Sequence, residues 1–89
     1  MRYDWDDAKS VSNLIKHGVL FDEAFAFEWA AALVRADVRY SYGEVRLTAT
    51  APIADEIYVL VCTIRRTRLR VISLRRASAK EILRYVAQI

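Results

Sequence analysis

One cysteine, one histidine, two glycines and one proline are all that the 89 residues contain of these four types. A lone Cys62 excludes an internal disulfide, and one Cys with one His cannot supply the usual Cys/His zinc set. Metal-free chemistry is therefore expected, and no cofactor is assigned. So little Gly and Pro, beside a hydrophobic fraction of 55%, excludes a disordered or low-complexity chain. No apolar run approaches the roughly 20 residues of a membrane span. The opening Met1-Arg2-Tyr3-Asp4-Trp5-Asp6-Asp7 lacks the apolar stretch of a signal peptide, so a cytoplasmic location without membrane contact is expected. The length suits one domain over residues 1–89.

What is abundant is arginine. Eleven of the 14 basic residues are Arg, and the net charge of +3 is unevenly placed: residues 1–43 carry −2 (five basic, seven acidic) and residues 44–89 carry +5 (nine basic, four acidic). Six arginines, Arg65, Arg66, Arg68, Arg70, Arg75 and Arg76, fall within twelve residues that contain no acid. Guanidinium groups pair bidentately with phosphate oxygens and stack on bases, which makes a polyanion the first candidate partner.

The patterning predicts an α+β domain: a short N-terminal strand, two helices, a four-stranded, mainly antiparallel sheet and a C-terminal helix. Residues 2–5 alternate briefly, as in a short edge strand. From Asp6 or Asp7 as N-cap, Ala8, Val11, Leu14 and Ile15 form an apolar stripe on a helix that stops at Lys16-His17-Gly18. Asp22 is a candidate cap for a second helix running to about Trp29, with Phe21 packing on Phe25 or Ala26. Strands are expected at 31–38 and 44–51, the first leaving through the turn Tyr40-Ser41-Tyr42-Gly43 and the second ended by Pro52. After the Asp55-Glu56 turn, strands 57–64 and 69–74 form a hairpin. Ser78-Ala79-Lys80-Glu81 is a capping box opening a helix with Ile82, Tyr85, Val86 and Ile89 on one face.

A two-residue loop, Arg66-Thr67, would set Arg65 opposite Arg68, Thr63 opposite Arg70 and Val61 opposite Ile72. One sheet face then carries Tyr58, Leu60, Cys62, Ile64, Leu69, Val71 and Ser73 and takes the helices. The other carries Val59, Val61, Thr63, Arg65, Arg68, Arg70 and Ile72, cationic at one end, and Arg46 joins it if the 44–51 strand lies alongside.

The order of several blocks resembles a known family. They are Tyr3-Asp4-Trp5-Asp6 with Lys9 and Asn13; Lys16-His17-Gly18-Val19; Phe21-Asp22-Glu23-Ala24; Asp37-x-Arg39-x-x-Tyr42-Gly43-Glu44-x-Arg46; Thr63-x-Arg65; Arg70-Val71-Ile72-Ser73-x-Arg75-Arg76-Ala77; and Glu81-x-x-Arg84-Tyr85. Together they span nearly the whole chain and resemble the BrnT toxins of bacterial and archaeal type II toxin–antitoxin systems, whose fold is similar to that of RelE-type ribonucleases. The resemblance implies an endoribonuclease that acts on RNA and arrests translation. It also implies neutralisation by a BrnA-like ribbon-helix-helix antitoxin, with operator DNA contacted only through the antitoxin complex. The Gly-containing segment usual after the Arg46 strand is here Thr48-Ala49-Thr50-Ala51-Pro52-Ile53, so the 50–56 turn departs from the family pattern.

Metal-free RNA cleavage needs a base for the 2′-hydroxyl, cations for the dianionic phosphorane and an acid for the 5′-oxygen. On the resemblance, Arg65 and Arg70 are assigned to phosphate stabilisation, with Arg46 next. Arg39, Tyr42, Arg68, Arg75, Arg76 and Lys16 are assigned to RNA contact. Arginines at an exposed sheet end also serve solubility, which accounts equally for Arg66 and Arg68. His17 is a candidate base or acid, but its place before Gly18 equally suits an interaction with the helix dipole. Glu44 is a candidate base or an ion-pair partner orienting Arg46. Tyr85 reads as core, and Cys62 faces the core. The alternatives in other classes are a non-catalytic nucleic-acid-binding module and a partner for an acidic protein.

Overall fold

The backbone of the fold is a meander of four antiparallel strands closed at one edge by a parallel one. A computed structural model describes residues 2–37 and 44–89. The elements are β1 (Arg2–Asp4), α1 (Asp7–His17), two 3₁₀ helices (Phe21–Ala26 and Trp29–Ala31), β2 (Leu33–Asp37), β3 (Arg46–Ile53), β4 (Glu56–Arg65), β5 (Arg68–Arg76) and α2 (Ala79–Gln88). The sheet order is β1-β5-β4-β3-β2. The N-terminal strand expected at the edge is thus a fifth strand of the sheet, pairing parallel to β5 with Tyr3 opposite Leu69 and Asp4 opposite Arg70. The expected Tyr40–Gly43 turn lies outside the described residues.

The β4–β5 hairpin has the two-residue loop its sequence calls for, with Arg65 opposite Arg68 and Thr63 opposite Arg70. A β-bulge between Val61 and Cys62 then shifts the register, so Val61 faces Ser73 and not Ile72. The extra residue reverses the parity of everything after it. Leu74, not Ser73, joins the core and pairs with Leu60, while Arg75 and Arg76 exchange faces. Pro52 does not end β3, which continues to Ile53. Its carbonyl accepts from Glu28 N at 3.0 Å. Its missing N–H therefore points away from β4, on the side that β2 has not yet reached.

Both two-residue turns place their first residue in the left-handed region, Ala54 at φ 55° and Arg66 at φ 57°. The primed hairpin turns require such a conformation, and only Gly takes it without cost. Ala54→Gly is expected to stabilise the fold by about 1 kcal/mol, read as a rise in the urea midpoint.

One sheet face is lined by Ala49, Ala51, Tyr58, Leu60, Cys62, Leu69, Val71 and Leu74 and is covered by Val19, Phe21, Ala24 and Phe27. The expected second helix is not α-helical. The buried positions Phe21, Ala24 and Phe27 recur every third residue, which matches the 3.0-residue turn of a 3₁₀ helix. Asp22 lies inside this helix, and Leu20 is its N-cap residue. Phe21 is fully buried, whereas Phe25 is 70% exposed and meets Tyr3 and Trp5 edge-on at 5.2 and 5.9 Å. Cys62 is buried as expected, and burial pushes its thiol up to about 11, which makes it a poor nucleophile.

Helix α1 departs most from its sequence pattern. Its N-cap is Asp6 and its C-cap Gly18 at φ 76°. The stripe of Val11, Leu14 and Ile15 nevertheless faces solvent, while Ser10 and Asn13 are buried. The Asn13 amide donates to Leu74 O (2.6 Å) and Val19 O (2.8 Å), and Leu74 N donates back to Asn13 Oδ1 (3.4 Å). Asn13 thereby serves the outer edge of β5 where the short β1 has ended. Ser10 Oγ accepts from Phe21 N at 2.9 Å, fixing the start of the 3₁₀ helix.

Helix α2 packs on the opposite face of the sheet, not with the other helices. Tyr85 is buried and its hydroxyl donates to Ala31 O at 2.6 Å, but Ile82, Val86 and Ile89 remain exposed. The capping box forms as read, between Ser78 and Glu81. Glu81 also takes a bidentate pair from Arg75 at 2.7 and 2.9 Å. That pair, with Ser78 N–H, holds the Glu81 carboxyl down at about 2. Because this folded value lies below the unfolded one of about 4.3, the contribution is complete above the unfolded value and lost as pH falls from there towards 2. Both side chains are partly exposed, so Glu81→Gln is expected to cost about 1 kcal/mol at pH 7. The difference from the parent should vanish near pH 2 in acid-denaturation curves.

Candidate functional site

Alternation along each strand places the candidate side chains of β1, β3, β4 and β5, Arg76 apart, on the face that α2 only half covers. Strand register builds a row across four strands: Asp4 opposite Arg70, Arg70 opposite Thr63, Thr63 opposite Arg46. Asp37 holds the register position beyond Arg46. Neighbouring strands are about 4.8 Å apart, which puts Arg46 and Arg70 about 10 Å apart across the Thr63 strand. Towards the hairpin end a second row sets Arg2 opposite Arg68 and Arg68 opposite Arg65. Thr63 is buried and donates from Oγ1 to Val45 O at 2.9 Å, so it forms the floor between the two arginines.

The acid-free run of six arginines is not left unbalanced. Arg70 Nη1 meets Asp4 Oδ2 at 2.9 Å, Arg65 meets Glu44 at 3.2 Å, Arg75 pairs with Glu81, and Arg76 Nε meets Glu56 at 2.8 Å. Among the described residues, Arg66 and Arg68 make no ion pair. Glu81 lies six residues beyond Arg75, whereas Asp4 and Glu44 come from segments distant in sequence and lie within the cationic face. Glu44 does form an ion pair, with Arg65 across the sheet.

The structure thus brings together Arg46, Arg65, Arg68, Arg70 and Glu44. Arg75 is on the same face, but its guanidinium is engaged in fastening α2. Arg76 falls on the other face, beside Tyr58 and Glu56. Lys16 and His17 are also remote. The helix that carries them starts next to Asp4 and is anchored by Asn13 at Leu74, four residues or about 13 Å along β5 from Arg70. His17 lies a further turn beyond. Arg39 and Tyr42 lie outside the described residues. Sequence reasoning missed Asp4, whose arrival depends on the parallel β1–β5 pairing. It also missed Arg2 and Arg35, whose strand positions share the parity of Asp4 and Arg46.

Among the described residues, no group of three or more His, Cys, Asp or Glu side chains is placed to hold a metal ion, and no helix is long and apolar enough to cross a membrane.

The fold is a small α+β domain that turns a half-open, arginine-rich sheet face to solvent, with carboxylates set among the guanidiniums, a surface whose chemistry suits a polyanion. The family comparison makes this specific: the model described as the ribonuclease toxin BrnT of type II toxin–antitoxin systems matches residues 5–81, and the chain belongs to that family. Membership implies an RNA target and an antitoxin partner. A search of curated proteins gave no match.

Proposed function

We propose that the chain is a metal-independent endoribonuclease whose working surface is the Asp4–Arg70–Thr63–Arg46 row. This row, inside a chain of the ribonuclease toxin family, is the observation that carries the reading. Arg70 and Arg46 flank the scissile phosphate and stabilise the added negative charge of the phosphorane. Asp4, next to Arg70, accepts the proton of the 2′-hydroxyl as that oxygen attacks phosphorus. The P–O5′ bond breaks and the departing oxygen takes a proton from water. Arg65, oriented by Glu44, and Arg68 bind flanking phosphates.

The products of this route are a 2′,3′-cyclic phosphate and a 5′-hydroxyl. Purified protein should therefore cleave RNA in excess EDTA and leave those ends, read by end-specific ligation and sequencing. Chelator-sensitive cleavage leaving 5′-phosphates would refute it, and RNA bound but uncut would point to the binding-module reading. In the cell this activity arrests translation in the cytoplasm. A ribbon-helix-helix antitoxin neutralises it, and operator DNA is reached through that complex. Exposed apolar side chains, among them Ile15, Phe25, Leu83 and Ile89 at 70–82% exposure, suit a chain that spends its life bound to such a partner.

A further inference from the structure

Beside the arginine row the same sheet face opens into a cleft between α2 and the β2–β3 edge. The register ties the two together: Arg35 is opposite Thr48, and Thr48 follows Arg46 by two residues, about 7 Å along the strand on the same face. The cleft holds about 180 Å³, below the several hundred Å³ of a drug-sized site. It fits a single ring system, not a whole nucleotide.

Its walls have the chemistry of a base pocket. Leu33 and the Tyr85 ring supply apolar surface, and Tyr85 is fixed in place by its hydrogen bond to Ala31 O. Arg35, Arg84, Thr48 and Gln88 supply the polar lining. The one acid, Glu81, is already committed to Arg75 and Ser78 N–H. Among the described residues, Arg35 and Arg84 make no ion pair. The cleft therefore offers an excess of donors, two of them guanidiniums that donate in pairs. The base that presents two acceptors side by side is guanine, through O6 and N7, and unpaired RNA bases are read on such edges while stacked or packed in pockets.

We propose that this cleft is a nucleobase subsite that takes an unpaired guanine next to the phosphate held by Arg46 and Arg70. It deepens the ribonuclease reading and rests on it for the identity of the polymer. Arg84 and Arg35 set the base preference, and the arginine row holds the backbone whatever the sequence.

The test uses short single-stranded 2′-O-methyl oligoribonucleotides, which carry no 2′-hydroxyl nucleophile, differing at one position as guanine, 7-deazaguanine, adenine or cytosine. Binding is measured by fluorescence anisotropy. The full-length protein should bind the guanine form roughly tenfold or more tightly than the others, with 7-deazaguanine losing most of the gain. Arg84→Ala and Gln88→Ala, both exposed positions, should reduce that preference towards parity, while Lys80→Ala on the same helix but outside the cleft keeps it. Equal binding of all four oligonucleotides by the parent protein would overturn the subsite, as would an Arg84→Ala loss that is the same for every base. Cleavage of the matching 2′-hydroxyl oligonucleotides separates the two ideas. A guanine preference in binding with no cleavage leaves the subsite standing and removes the ribonuclease reading.

Discussion

Arg70→Ala is expected to lower the rate of RNA cleavage by about a hundredfold to a thousandfold, the loss typical of removing one donor to a developing oxyanion. Arg70→Lys should recover only part of this, because a single ammonium cannot span two phosphoryl oxygens. The effect is separable from unfolding. Arg70 and Asp4 are both partly exposed, so their pair contributes no more than about 1 kcal/mol to stability, and the thermal midpoint should move little. Arg66→Ala provides the contrast. Arg66 sits at the tip of the β4–β5 turn, outside both rows, and its replacement should leave turnover near the parent value. Arg65→Ala should fall between the two, about tenfold, since its guanidinium is more exposed and serves a flanking phosphate. Initial rates on one fluorogenic RNA at fixed ionic strength rank the four variants. An Arg70→Ala protein that cleaves at the parent rate would remove the row from the mechanism.

That ranking was partly legible in the chain itself. A two-residue loop fixes which residues of a hairpin face each other, so the positions of Arg65, Arg68, Arg70 and Thr63 follow from the sequence once that loop is given; alternation in 44–51 sets Arg46 on the polar side of its strand, and the β3–β4 pairing brings that side to the same face. What the chain could not disclose was charge balance. The run from Arg65 to Arg76 contains no acid, yet four of its arginines find one, and each partner arrives by a different route. Asp4 comes through the parallel β1 pairing, Glu44 through the segment before β3, Glu56 across the β3–β4 turn end, and Glu81 through α2. Two of these depend on contacts spanning more than 20 residues, for which local pattern carries no signal. The assignments of His17 and Lys16 rested on residue type, and the helix that carries them runs away from the arginine row.

The same division holds for the fold. Alternation, Asp6, Gly18 and the Ser78–Glu81 box are local devices and were readable, whereas the cap expected at Asp22 and the strand end expected at Pro52 were not what the fold uses. The 3₁₀ segment misled: its acidic start at Asp22-Glu23 reads as an ordinary helix to about Trp29, whereas Phe21, Ala24 and Phe27 are buried at every third position, as a 3₁₀ turn requires. The bulge was not readable either. The run Val71-Ile72-Ser73-Leu74 is compatible with either parity, and the choice is made by the gain from burying Leu74 in place of Ser73. The α1 stripe misled for a related reason. Amphipathic spacing identifies a helix but not the face it buries, when a neighbouring strand edge leaves backbone groups that only a polar side chain can satisfy.

Asn13 gives that point its sharpest test. Asn13→Leu preserves size and improves helix propensity, yet it strips partners from Leu74 N, Leu74 O and Val19 O, all in a buried setting. Each unsatisfied group costs about 1–3 kcal/mol, and partial relaxation brings the expected total to about 3 kcal/mol. For a domain of this size that lowers the thermal midpoint by roughly 12–24 °C, measurable by circular dichroism. Asn13→Asp retains the acceptor for Leu74 N but sets a carboxylate against two carbonyl oxygens. Its folded-state pKa must therefore rise above the unfolded value. A raised pKa contributes stability below the unfolded value and loses it as pH climbs through the folded one, so this variant should regain stability on acidification while Asn13→Leu does not. Ile15→Ser, on the solvent-facing stripe at 82% exposure, should shift stability by less than about 0.5 kcal/mol. A helix buried through its apolar stripe would give the reverse order, with Ile15→Ser costly and Asn13→Leu mild. The ranking of these two variants therefore decides which face of α1 the fold uses.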